Sequence, residues 1–213
     1  MSTLIIEEVL KTVIKMGLIG CVSLDIKKRS VEDLWENLSS SLSSANGITP
    51  IAMGIVFETY DVMIFLWCET PENLNDYIIN RLRSVKGVTE TEVFFVNDMQ
   101  EITHEEIDSE PGIDGIIFID VECGKDESVY NAIIEDISPE ENKTFTKFVA
   151  KCLHSTNLDQ LVGFKGVNLY YLDQLFSKVR MVNGVTDMQI MMFSRFTTLV
   201  EFDELKKRFP WFL

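Results

Sequence analysis

A stretch of fourteen residues occurs twice in the chain, and this repeat restricts the fold more than any other feature of the sequence. Residues 83–96 read RSVKGVTETEVFFV, and residues 180–193 read RMVNGVTDMQIMMF, so the two copies begin 97 residues apart. Each copy predicts the end of a helix, a turn at a glycine and an apolar strand. The chain of 213 residues is therefore expected to contain two similar halves.

The first half shows strand and helix patterns in the order β-α-β-β-α-β. Strands are predicted at 17–25, 51–57, 62–68 and 91–97. Ser30 is positioned to cap the first helix, and Thr70 followed by Pro71 supplies the start of the second, which ends at Gly87. This order of elements is the split-βαβ, or ferredoxin-like, unit.

The second half repeats the same order. Strands are predicted at 116–122, 145–153, 159–165 and 188–193, with a helix at 128–137. Another helix begins after Asn168 and ends at Gly184, and both Gly87 and Gly184 are expected to adopt positive φ values there. The predicted fold class is therefore α+β, with two tandem ferredoxin-like β-α-β-β-α-β repeats.

The predicted strands lack the alternation of apolar and polar residues that a sheet with one face in water requires. Residues 62–68, VMIFLWC, and residues 190–193, IMMF, are apolar on both faces. The face turned away from the helices must therefore be covered. The sheet of the other repeat is the simplest cover, which gives a pseudo-dimer packed sheet to sheet like a dimeric α+β barrel. A second copy of the chain satisfies the same pattern, so a homo-oligomer is the alternative.

The two repeats leave three further segments, and the connector between the repeats is strongly acidic. It contains no lysine or arginine, which is typical of a solvated loop. The predicted organisation is an N-terminal helix at 1–16, a first repeat at 17–97, an acidic connector at 98–113, a second repeat at 114–197 and a C-terminal aromatic helix or tail at 198–213.

The charge of the chain excludes some partners. The formal net charge is −15, from 34 acidic and 19 basic residues, and such a field repels the phosphates of nucleic acids. No apolar run approaches the ~20 residues that cross a bilayer, and the first residues do not read as a signal peptide. We therefore expect a cytoplasmic protein with no direct contact to nucleic acid or membrane.

The four cysteines are far apart in the sequence and are predicted to be reduced thiols. No paired Cys or Cys/His spacing typical of zinc is present, and the acids of the connector follow no known calcium loop. No metal, no cofactor and no catalytic residue is predicted. The cysteines are Cys21, Cys68, Cys123 and Cys152.

The third and fourth strands of the first repeat resemble those of the effector-binding domain of the Lrp/AsnC family of regulators. Tyr60 and Asp61 open the third strand, and a Gly-Val turn with a threonine after it opens the fourth, as is typical of that family. Domains of the family pair sheet to sheet as a dimeric α+β barrel. The resemblance nominates as ligand-binding residues Tyr60, Asp61, Gly87, Val88, Thr89 and Thr91.

The resemblance implies a regulatory module that binds a small-molecule effector, an amino acid being the family precedent. The chain has no room for the family's helix-turn-helix, so the module would act through assembly with itself or with a partner regulator. The chain departs from the family in two respects. In the first repeat, Glu58 and Thr59 stand where the family has a glycine before the Tyr-Asp pair. In the second repeat, Leu158-Asp159 replaces the Tyr-Asp pair and Met188 replaces Thr91.

Two other functions fit the same architecture. One is an enzyme on the same barrel that acts on a tetrapyrrole or similar substrate, which requires an acid or base such as a histidine facing the cleft. The chain contains only His104 and His154, and His154, at the end of a predicted strand, is the better candidate. The other is a structural assembly protein, which the acidic surface and the aromatic C-terminus would suit.

Overall fold

The secondary structure follows the predicted order of elements closely. The computed structural model describes residues 17–26, 31–45, 47–57, 61–101, 112–136, 144–155, 158–166 and 168–200. The strands are β1 (Leu18–Ile26), β2 (Ile48–Val56), β3 (Val62–Cys68), β4 (Val88–Glu101), β5 (Ile113–Val121), β6 (Thr144–Ser155), β7 (Leu158–Gly166) and β8 (Val185–Thr198). The helices are α1 (Val31–Ser41), α2 (Pro71–Tyr77), α3 (Asp126–Asp136) and α4 (Leu169–Met181), and a π-helical turn (Ile78–Leu82) continues α2.

The chain forms two compact units. Unit 1 contains the described residues up to Ile55, those from Asp61 to Val93, and those after Phe196. Unit 2 contains Val56, Phe57 and the described residues from Phe94 to Phe196. The long strands β4 and β8 thus contribute residues to both units.

Unit 1 is built on the antiparallel order β1-β3-β2. Helix α2 begins as predicted, because the Thr70 side chain accepts a hydrogen bond from the Asn73 backbone N–H and Pro71 occupies the first turn. Leu74 of α2 lies directly over Gly20 of β1, where no Cβ would fit. The side chains of β1 that share a face with Gly20 are therefore the ones that face the helix.

Unit 2 has the antiparallel order β8-β5-β7-β6-β4. Helices α3 and α4 cover one face of this sheet. The α4 N-cap is Asn168, as predicted, and its side chain accepts from the Tyr171 backbone N–H at 3.2 Å. The core between helices and sheet contains Ile117, Ile119, Val129, Tyr130, Ile133, Val149, Val162, Phe164, Leu172, Leu175 and Val179.

The predicted α+β class is confirmed. The strands are buried on both faces as their composition predicts, since six of the seven residues of β3 are buried, as are the five consecutive residues 115–119 of β5. Strand β4 continues to Glu101, past the predicted start of the connector. The predicted N-terminal helix at 1–16, residues 201–213 of the predicted tail at 198–213, most of the connector, Ser30 and Tyr60 lie outside the described residues.

The π-helical turn marks a one-residue difference between the repeats. The helix caps Thr70 and Asn168 are 98 residues apart, whereas the turn glycines Gly87 and Gly184 are 97 apart. The extra residue is absorbed by a bond from the Arg83 backbone N–H to the Ile78 carbonyl at 2.9 Å, five residues back. The sequence repeat, which aligns without a gap, therefore conceals an insertion in the first helix.

The two turn glycines have positive φ values, 109° at Gly87 and 112° at Gly184, as predicted. No helix in the part of the chain that the structure describes is long and apolar enough to cross a membrane.

Replacement of Gly184 by alanine is predicted to destabilise unit 2 more than replacement of Gly124. Both glycines have positive φ values, but a Cβ at Gly184 would lie 2.8 Å from Lys125 Cδ and 2.9 Å from Val129 Cγ2, while a Cβ at Gly124 meets nothing within 4 Å. We expect Gly124→Ala to cost about 1 kcal/mol and Gly184→Ala about 2–4 kcal/mol in denaturant unfolding. If the two variants lost the same free energy of unfolding, crowding around Gly184 would make no contribution to stability.

Candidate functional site

The sheet of unit 2 has a face turned away from α3 and α4, called here the helix-free face. Ile117 and Ile119 of β5 pack against the helices, so the alternate residues of β5 lie on the opposite face. Register extends this face to β7, where Lys165 is opposite Asp114 and Leu161 is opposite Phe118. On β5 and β7 the helix-free face consists of Asp114, Ile116, Phe118, Asp120, Asp159, Leu161, Gly163 and Lys165.

Three aspartates stand side by side at one end of this face. Asp120 is opposite Asp187 of β8, and the β5–β7 register places Asp159 on its other side. Burial raises the pKa of Asp120, and the negative charges of Asp159 and Asp187 raise it further. Asp120 therefore holds its proton to a higher pH than an ordinary aspartate, and it is the central group of this acidic row.

The middle of the helix-free face is apolar and aromatic. Ile116, Phe118 and Leu161 are buried, and the ring centroid of Phe94 in β4 lies 5.5 Å from that of Phe118. The Phe148 ring occupies the place that a side chain at Gly163 would fill. The face thus joins an apolar centre to an acidic row at one end and to Lys165 and Asp114 at the other.

Asp61, a predicted ligand-binding residue, binds the backbone of its own repeat. Its Oδ2 accepts a hydrogen bond from the Ile26 N–H at 2.7 Å, at the end of β1. Asp159 does the same in the second repeat, where its Oδ2 accepts from the Val121 N–H at 2.7 Å. Leu158-Asp159 thus preserves the structural part of the Tyr60-Asp61 pair, and both aspartates fix the end of a strand.

The structure brings only some of the other predicted site residues together. The Thr89 hydroxyl donates to the Asp25 carbonyl at 3.0 Å, which places Thr89 and Asp61 at the same end of β1. Thr91 instead accepts from Arg83 Nε at 2.9 Å.

The remaining predicted residues contribute little side-chain chemistry. Gly87 and Val88 form the turn into β4, where Gly87 supplies a positive φ and the Val88 N–H bonds the Val85 carbonyl. Tyr60 and His104 lie outside the described residues, and His154 belongs to β6.

Sequence reasoning did not find Asp120 or Lys165. Both stand in strands that otherwise read as apolar, IIFIDVE and LVGFKG, and an isolated charge within such a strand is the signal that would have found them. Within the described residues, no group of three or more His, Cys, Asp or Glu is arranged to hold a metal ion.

Two described thiols are poor candidates for nucleophilic chemistry. Burial raises the pKa of Cys152 to about 12, with a further contribution from the Asp159 charge, and burial raises the pKa of Cys68 to about 11. Both remain protonated near neutral pH, and the thiolate is the reactive form.

The fold is shared with solved structures of two enzymes and one enzyme-like protein. The siroheme decarboxylase NirDL is 11% identical, with a TM-score of 0.60 over 97% of this chain and 85% of that one. A mutant chlorite dismutase from Candidatus Nitrospira defluvii is 10% identical, with a TM-score of 0.57 over 92% of this chain and 95% of that one. An anthrone oxidase-like protein is 9% identical, with a TM-score of 0.57 over 87% and 94% of the two chains.

These similarities match the ferredoxin-like dimeric α+β barrel fold, and at this identity they show the fold alone. No protein-family model matches the sequence, and a search of the curated proteins found no match.

The comparisons contradict the interpretation of the chain as a regulatory module of the Lrp/AsnC type. A transcriptional regulator in complex with L-Met from Neisseria meningitidis matches over only 44% of this chain, and its TM-score of 0.34 is too low to support a shared fold. The structures reported above, which match over most of the chain, belong to enzymes or to proteins described as enzyme-like. The resemblance rested on Asp61 and the Gly87 turn, which hold the backbone of the fold and recur as Asp159 and Gly184.

Asp120→Asn is predicted to stabilise the protein near neutral pH. The raised pKa means that the charged carboxylate destabilises the fold at pH values above its folded pKa, and that this penalty disappears as the pH falls below the pKa of the unfolded chain. We expect a gain below about 1 kcal/mol, because the group is partly exposed and screened. Unfolding midpoints of both proteins, measured from pH 4 to pH 8, would show this gain in stability and its decrease at low pH.

The matched control is Asp173→Asn, an equal change of charge on the exposed face of α4. If Asp120→Asn stabilised no more than this control, or if its gain persisted unchanged at pH 4, the raised pKa of Asp120 would be contradicted.

Proposed function

We propose that the chain is an enzyme of the dimeric α+β barrel class that acts on a tetrapyrrole or a similar large planar ring. The proposal rests on the structural similarity to the siroheme decarboxylase NirDL over nearly the whole chain. The complex of NirDL with an iron-uroporphyrin III analogue is similar as well, with a TM-score of 0.58 over 98% of this chain.

The ends of the helix-free face of unit 2, rather than its centre, are available to a substrate. Ile116, Phe118 and Leu161 at the centre are at most 2% exposed and belong to the core. The acidic row stands at one end of the face, where Asp120 is partly exposed and Asp187 is exposed. A substrate would therefore meet the protein at this end of the sheet.

Asp120 supplies the acid–base chemistry in this proposal. A decarboxylation replaces a carboxylate by a proton, so the site needs a group that delivers a proton to the carbon that loses CO₂. The raised pKa of Asp120 keeps it protonated to a higher pH than an ordinary aspartate, which suits a proton donor. Asp159 and Asp187 contribute by their charges, since removal of either would lower that pKa.

A second candidate is the oxidation of a neutral polycyclic aromatic substrate by dioxygen, which takes up the electrons that the ring loses. The net charge of −15 and the row of three aspartates repel a ring that carries many carboxylates, whereas a neutral ring avoids that penalty. The likeness to the anthrone oxidase-like protein is consistent with such a substrate. In this reaction Asp120 would accept the proton that leaves an acidic ring carbon.

Titration with iron uroporphyrin III is predicted to give a saturable change of the Soret band with one ring bound per chain. Induced circular dichroism in that band would show that the ring is held in a fixed orientation, which nonspecific adsorption does not produce. Anthrone, followed by absorbance and oxygen consumption, tests the second candidate. A panel of amino acids serves as the negative control and should leave the unfolding midpoint unchanged.

Saturable binding of the tetrapyrrole would support the first candidate, and turnover of anthrone alone would support the second. If neither ring bound, the enzymatic proposal would fail and a structural assembly protein would be favoured.

A further inference from the structure

The outward side of the second helix of unit 1 carries charges in a definite order. Helix α2 and the π-helical turn that continues it turn one side into the unit, where Leu74, Tyr77, Ile78 and Leu82 are buried. The other side is exposed at successive spacings of four, three, four and three residues, which keep side chains on one side of a helix. We call this side the α2 outer face, and it consists of Glu72, Asp76, Ile79, Arg83 and Lys86.

The α2 outer face continues to Lys86 although the hydrogen-bond pattern of the backbone changes along it. The Arg83 N–H bonds the Ile78 carbonyl across the π-helical turn at 2.9 Å. The next two N–H groups, at residues 84 and 85, bond carbonyls three residues back at 3.2 and 3.1 Å. Three residues complete one turn in this 3₁₀-type geometry, so Lys86 lies on the same side as Arg83.

The charges of the α2 outer face are arranged symmetrically about Ile79. Ile79 is 48% exposed, with Glu72 and Asp76 before it and Arg83 and Lys86 after it. Glu72 and Lys86 each stand seven residues from Ile79, and Asp76 and Arg83 stand three and four residues from it. A second copy of this helix, rotated by 180° about an axis through Ile79, places the acids of each copy opposite the cations of the other.

The four charged groups are available for such a contact. Within the residues that the structure describes, none of the four takes part in an ion pair, whereas Lys125 and Lys151 of unit 2 each bond a glutamate at 2.6 Å. Arg83 donates from Nε to Thr91 Oγ1 at 2.9 Å, and a guanidinium group has four further N–H donors. Cations without acidic partners are unexpected in a chain with 34 acidic and 19 basic residues.

The second repeat shows that the fold does not require this charge pattern. Acids at the start of a helix and cations at its end also favour the helix dipole, and that effect applies equally to α4. Equivalent positions are 98 residues apart before the π-helical turn and 97 apart after it. Only one of the four charges recurs in the second repeat, where the positions are occupied by Tyr170, Gln174, Arg180 and Asn183.

We infer that two copies of the chain associate through the α2 outer face, with the two helices antiparallel and Ile79 of each copy at the centre. Each copy has a net charge of −15, so the copies repel except where opposite charges are matched locally. A contact made by one helix from each copy is smaller than the roughly 1,600 Å² of a standard interface, so the dimer is expected to be weak, with a Kd in the micromolar range. The proposed function does not use this surface.

Two single charge reversals test the inference. In a dimer of Glu72→Lys or of Lys86→Glu, the substituted position meets a like charge, and it does so twice because the contact is symmetric. We expect each substitution to weaken dimerisation by about tenfold or more. Mixed together, the two variants have complementary faces again and should associate with a Kd close to that of the unchanged protein. The double variant Glu72→Lys/Lys86→Glu exchanges the two signs at constant net charge and should also dimerise.

Sedimentation velocity over a range of protein concentrations gives the Kd of each protein and of the mixture. The matched controls are Asp173→Lys and Lys178→Glu, which make the same changes of charge at exposed positions of α4 and should leave the Kd unchanged. Circular dichroism and unfolding midpoints establish that every variant is folded.

Association of the mixed variants, together with weak association of each variant alone, would support the inference. It would be overturned if the unchanged protein stayed monomeric at concentrations well above the micromolar range. It would equally be overturned if both single variants dimerised as tightly as the unchanged protein, or if their mixture associated no better than either variant alone.

Discussion

The burial of strands on both faces is the constraint on which the rest of the structure depends. Strands β3 and β5 carry buried side chains in both directions, so neither face of these strands offers water to a polar group. In β3 and β5 the only charged residues are Asp114 and Asp120, and both stand near the ends of β5, where backbone groups or solvent can satisfy them. The aspartates follow this rule, since Asp61 and Asp159 accept backbone hydrogen bonds and Asp120 stands near the end of β5.

The duplication makes each repeat a control for the other. Features present in both, such as Asp61 with Asp159 and Gly87 with Gly184, belong to the backbone of the fold and carry no information about a ligand. Features present in one alone are the candidates for function. Lys165 in place of Trp67 is such a difference. Another is the buried Gln160 of β7, which occupies the register of Val62 and donates to the Asp126 carbonyl at 2.7 Å.

Most of the architecture could be predicted from the sequence because its signals are local. The caps Thr70 and Asn168 and the turn glycines mark helix ends through their own backbone chemistry, and apolar runs mark the strands. The register between strands could not be predicted, because a repeat aligned at a constant spacing does not reveal the insertion absorbed by the π-helical turn. The comparison of equivalent residues that singles out Lys165 requires that register.

The functional prediction was wrong for a related reason. The Tyr-Asp pair and the glycine turn are visible in the sequence because they are local, and local motifs in a duplicated fold report mainly on the backbone. Asp120, which supplies the acid–base chemistry of the proposal, is marked in the sequence only as a charge within an apolar strand, and its neighbours Asp159 and Asp187 become evident only in the structure. These cross-strand neighbours depend on the register, which the order of residues along the chain does not show.

Protection of the cysteine thiols tests the two-sided burial most directly. Cys21 lies on the helix-free side of β1, Cys68 lies on the helix side of β3, and Cys123 is exposed. In variants that retain one of these cysteines each, a thiol reagent added to the native protein should label Cys123 rapidly, and Cys21 and Cys68 only at the rate of unfolding. Labelling of Cys21 at a rate close to that of Cys123, while Cys68 stays protected, would contradict the account.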